Sequence, residues 1–143
     1  MYVPMEGGSI TFTLVRADLS APRQHFKVMV DGTEFVTSCA LLEDIAHILS
    51  HYTDMAEEGK RFDLFSTNTS PYSVSVTRME GLFYLRMTDN FDGNILEERV
   101  RFDALRGALE RFIEETLSKN PKGVPDEDGL RDRLKRFREW PGP

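Results

Sequence analysis

What this chain lacks narrows it before any motif is sought. It has one cysteine in 143 residues, so it can form neither an internal disulfide nor a zinc ribbon. No stretch approaches the roughly 18–20 apolar residues that span a bilayer. The opening "MYVPMEGGSITF" has neither the basic start nor the apolar run of a secretion signal, which makes the cytoplasm the expected compartment, with no membrane involved. No Gly-x-Ser-x-Gly, phosphate-cradling glycine loop or dinucleotide fingerprint occurs; "GKRFD" at 59–63 lacks the upstream glycine of a phosphate loop. No cofactor is expected.

Positive charge is missing from one region in particular. Residues 34–58 contain six acids (Glu34, Glu43, Asp44, Asp54, Glu57, Glu58) and no lysine or arginine, which equals the net charge of −6 of the entire chain. By contrast, "LRDRLKRFRE" at 130–139 sets five basic residues against two acids. A net-acidic chain without an extended basic surface is poorly suited to nucleic acid. It is better matched to a cationic partner.

What is present is ordinary globular material, 40% hydrophobic and 29% charged, in a length suited to one domain. "SITFTLVRA" (9–17) and "HFKVMV" (25–30) alternate apolar and polar residues with the period of a half-buried strand. Asp31-Gly32 supplies a hairpin turn before "TEFV". Thr37 or Ser38 is placed to cap the next helix, in which Leu41, Ile45, Ile48, Leu49, Tyr52 and Met55 recur at helical spacing and Gly59 ends the run. Four strand patterns follow: 61–66, 72–79, 82–88 and 94–102. Glu80-Gly81 joins the second to the third, and "NFDGN" the third to the fourth. Residues 103–117 form a second amphipathic helix (Leu105, Leu109, Phe112, Ile113, Leu117), capped by Asp103, with Gly107 permitting a close crossing and Asn120-Pro121 ending it.

The resulting expectation is an α+β fold: a largely antiparallel sheet of about five to seven strands, with two main helices on one face and a short C-terminal helix. Residues 1–120 form the domain, 121–129 a linker, and 130–140 a helix whose Leu130, Leu134 and Phe137 dock on the domain or on a partner chain. Three turns are marginal alone in water, so this helix needs a surface. A homodimer through it is the alternative to internal docking.

Candidate chemistry concentrates in the first helix. On a helical wheel of about 100° per residue, Asp44, His47, His51 and Asp54 fall within an arc of about 80°. A histidine pair four apart can present both imidazoles to one metal ion, and flanking carboxylates could complete the shell. Against this, no Glu follows His47 as in the metalloprotease motif, and His25 lies in a strand. A polar stripe on a wet helix face accounts for the same residues. Cys39, at the predicted helix start, has no histidine spaced for pairing. Glu97 and Glu98 point to opposite faces of a strand and cannot share a proton. Phe65, Phe83 and Tyr84 could stack bases, yet only Arg78 and Arg86 lie nearby, which favours core packing. Catalysis has no support in these patterns.

A small acidic α+β chain with the acid-only helix "LLEDIAHILSHYTDMAEE" and the strand-to-helix ending "ERVRFDALRGALERFIEETL" resembles the immunity proteins that bacteria pair with secreted toxins. The resemblance implies an inhibitor that plugs a toxin's basic cleft. The protein-binding candidates are then Glu43, Asp44, His47, His51, Asp54, Glu57 and Glu58. The rival readings are a metal-binding protein or metal-dependent enzyme built on His47 and His51, and a structural or assembly subunit.

Overall fold

The computed structural model describes residues 10–14, 24–39, 41–65, 72–89, 93–119 and 124–143. Their order is β1 (Ile10–Leu14), β2 (Gln24–Val30), β3 (Thr33–Cys39), α1 (Leu41–His51), a 3₁₀ turn (Tyr52–Ala56), β4 (Arg61–Phe65), β5 (Tyr72–Met79), β6 (Leu82–Asp89), β7 (Asn94–Val100), α2 (Phe102–Lys119) and α3 (Glu127–Glu139). The class is α+β and every described strand pair is antiparallel. The strands do not form one sheet, however. They make two meanders, β1-β2-β3 and β4-β5-β6-β7. Hairpin turns pair sequential strands locally, whereas α1 intervenes between β3 and β4 and breaks the ladder; alternation alone does not encode which edges would join across a helix.

Two hairpins follow from their turn residues. Asp31 and Gly32 have φ of 48° and 86°, and Glu80 and Gly81 have 54° and 78°. Positive φ at both central positions gives the mirror-image turn whose twist matches the flanking strands. The first turn holds β2 and β3 in register for seven pairs, out to Gln24 opposite Cys39. Thr37 and Ser38 therefore belong to β3 and are not helix caps, and Cys39 ends a strand instead of opening a helix. The "NFDGN" turn falls mostly outside the described residues, as do the Asn120-Pro121 stop and residues 15–17 of the first predicted strand.

Each helix covers the opening strand of the other sheet: α1 packs on β4 and α2 on β1. The join is aromatic. Phe12 of β1, Phe65 of β4 and Phe112 of α2 meet with ring centroids 5.4, 5.7 and 6.1 Å apart. A bulge in β4 sets Leu64 and Phe65 against Val74 alone, so that both consecutive side chains are buried. All five apolar positions read for the second helix are buried. Gly107 makes no close crossing: a side chain there would meet only Arg111 of the same helix.

The C-terminal helix docks on its own chain, against α1 and α2. Leu130, Leu134 and Phe137 are buried, and Arg138 spans Glu110 and Glu114 of α2 at 3.0 Å each. An aromatic chain continues the attachment, from Phe83 through Phe102 and Trp140 to Tyr52 and Phe137. The apolar side of α3 is thus spent internally. The helix also starts at Glu127, inside the predicted linker, because Glu127 and Asp128 favour the positive end of the helix dipole.

Candidate functional site

The acidic segment folds into α1, the 3₁₀ turn and the bridge to β4, which disperses its charges. Asp44 is only 5% exposed and so is not part of an open face. Its neighbours His47 and His51 are exposed, with rings 5.1 Å apart, and His47 stacks on Phe62. Asp54 and Glu57 both pair with Lys60, at 3.5 and 3.0 Å. The hydrogen bond that Lys60 donates to Glu57, followed by the charge of Asp54, raises the Lys60 pKa from 10.5. Glu58 pairs with Arg78 at 3.6 Å and accepts hydrogen bonds from the backbone N–H groups of Glu80 and Gly81. Arg78 in turn donates to the Ala56 carbonyl at 2.9 Å.

The absence of lysine and arginine from residues 34–58 is offset in part by Lys60 and Arg78. Lys60 lies just beyond the segment in sequence, whereas Arg78 comes from β5, and both are brought against it by the fold. Glu43 stays exposed. Among the described residues, no three His, Cys, Asp or Glu side chains are grouped to hold a metal ion. His25 contributes its backbone to the β2–β3 ladder opposite Ser38.

A second surface was not singled out by sequence: the face of the four-stranded sheet opposite the core. Strand alternation puts Val74, Val76, Phe83, Leu85, Met87 and Val100 inward, where all are buried. Phe65 and Phe83 are therefore core residues, as their pattern favoured, whereas Tyr84, grouped with them in sequence, lies on the opposite face and is not in the core. The opposite parity forms cross-strand rows. Asp63, Ser75, Arg86 and Glu97 stand side by side, next to a row of Arg61, Thr77, Tyr84 and Arg99. Met79 and Ile95, 48% and 51% exposed, are the exposed large hydrophobics among the described residues, and register puts both on this face.

The centre of the face is sunken. Arg61, Ser75, Thr77, Tyr84, Arg86 and Glu97, with Met79 and Glu80 at one end, line a depression of about 620 Å³. Its floor is the short side chains of β5, walled by the long ones of β4, β6 and β7. Ser75 is only 2% exposed although it faces away from the core. Arg61 is committed to Asp63 at 2.8 Å and reaches the Ser73 hydroxyl at 3.5 Å. The acidic segment touches the rim of this face, since Glu58 is bonded to the Glu80-Gly81 turn.

The signal for this surface was present in "YSVSV" (72–76), where serine fills the second face of a central strand. It was present too in the arginines of β4 to β7, four strands that contain no lysine. No family model, no curated protein and no solved structure matches this chain. No helix among the described residues is long and apolar enough to cross a membrane.

Proposed function

We propose that the chain is a non-catalytic protein-binding module of the inhibitor kind that immunity proteins represent, and that it contacts its partner through the outer face of the four-stranded sheet and the acidic rim beside it. One observation carries the reading: Met79 and Ile95 share a single face with Tyr84 and the arginines Arg61, Arg86 and Arg99. Methionine, tyrosine and arginine are enriched at interfaces and lysine is depleted. The core of such a patch supplies affinity. The exposed acids Glu43, Glu57 and Glu58 supply attraction to a cationic surface, which speeds encounter and weakens as salt rises.

The test is association with a cationic toxin, taken from a toxin-like reading frame where one adjoins this gene. Met79→Arg together with Ile95→Arg should abolish the complex while leaving the circular dichroism spectrum intact. Reversing Glu43, Glu57 and Glu58 to lysine should slow association and flatten its salt dependence. A complex indifferent to the sheet substitutions would overturn the surface assignment.

A further inference from the structure

Within the depression the charges are unequally engaged. Arg61 is held by Asp63. Arg86 and Glu97 stand opposite each other on β6 and β7, are both exposed, and form no ion pair among the described residues. Beneath them lies Ser75, directly across from Arg86 in register and lining the depression. Its side chain is almost wholly covered and forms part of the floor of the depression.

We infer that this depression seats a pair of oppositely charged side chains from the partner: an Asp or Glu carboxylate on Arg86 and Ser75, and a Lys or Arg on Glu97. This rests on the protein-binding reading and specifies its chemistry. Charge complementarity selects the occupant. A purely anionic group would meet Glu97 and Glu80, and a purely cationic one would meet Arg86, whereas a segment carrying both satisfies each. The spacing agrees: cross-strand neighbours such as Arg86 and Glu97 have Cβ atoms about 4.5–5.5 Å apart, and acid–base pairs three or four residues apart on a helix are about 5–6 Å apart. Arginine can clamp a carboxylate with two parallel N–H donors while the serine hydroxyl donates from below.

The experiment selects a phage-displayed library of random peptides on the immobilised full chain. Enriched sequences should carry an acidic and a basic residue adjacent or three to four apart. Arg86→Ala should weaken a selected peptide about tenfold or more, the usual worth of a charge-assisted pair, and Ser75→Val should weaken it less. The double variant Arg86→Glu with Glu97→Arg should reject these peptides and accept versions with the two charges exchanged. Both positions are exposed and form no ion pair among the described residues, so circular dichroism should report an unchanged fold.

Peptides that need Met79 and Ile95 but ignore Arg86 and Glu97 would overturn the seat while leaving the protein-binding reading standing. Tight binding of free glutamate or lysine by calorimetry would overturn it in favour of a small-molecule pocket. An absence of any enrichment over a Tyr84→Ala, Arg86→Ala control would overturn it as well.

Discussion

The two faces of β5 carry the same degree of burial by opposite means. Val74 and Val76 are buried by the core, and Ser73 and Ser75 on the other side are buried equally well. On the inner face, burial removes apolar surface from water and stabilises the fold by about 25 cal/mol per Å². On the outer face, short polar side chains are overshadowed by the long ones of Arg61, Tyr84 and Arg86, which gains little in stability and leaves a concavity. Burial alone therefore does not mark a core residue. What matters is whether the covering atoms belong to the core or to an open wall.

Substitution can break this contrast at its strongest point first. Phe65→Ala removes a ring from the junction of both sheets and α2 and should cost about 3–5 kcal/mol, read as a lower urea midpoint with an unchanged slope. Val76→Ser, which imposes outer-face chemistry on the inner face, should cost about 2–4 kcal/mol. The reciprocal Ser75→Val should change stability by no more than about 0.5 kcal/mol, on the stabilising side, since valine suits a strand. A large loss from Ser75→Val would show the outer face to be a second core.

Smaller effects probe the rim. Arg61→Met breaks an ion pair whose two side chains are about half exposed and should cost under about 1 kcal/mol, less at high salt. Lys60 has a pKa raised above 10.5 by its bond to Glu57 and the charge of Asp54. Its contribution to stability is thus fully present below 10.5 and is lost as pH rises through the raised value. The difference in melting temperature between wild type and Lys60→Met should shrink at strongly alkaline pH.

How far the sequence was legible follows from the range of each signal. Strand alternation and the Asp31-Gly32 and Glu80-Gly81 turns act over a few residues, and the elements they predict are present. The helix caps at Thr37 and Ser38 failed because a long hairpin ladder outcompeted a single capping bond. The division into two sheets depended on which edges meet across α1, which no local pattern records. The acidic surface is weaker than the segment's composition implies for a related reason: Lys60 and Arg78, which lie outside residues 34–58, offset part of its charge. The outer-face rows required the register of four strands, and only the serines and arginines at alternate positions hinted at them.

The exchange of helices between sheets bears on how the chain reaches this state. Because α1 covers β4 and α2 covers β1, neither the first meander with its helix nor the second with its own can bury its apolar surface separately. Both halves should melt in one cooperative transition, and the many contacts between distant positions imply slow folding. If the chain were severed in the exposed stretch around Gly59, each fragment should remain unstructured by itself, and mixing the two should restore the native spectrum at a rate that depends on concentration.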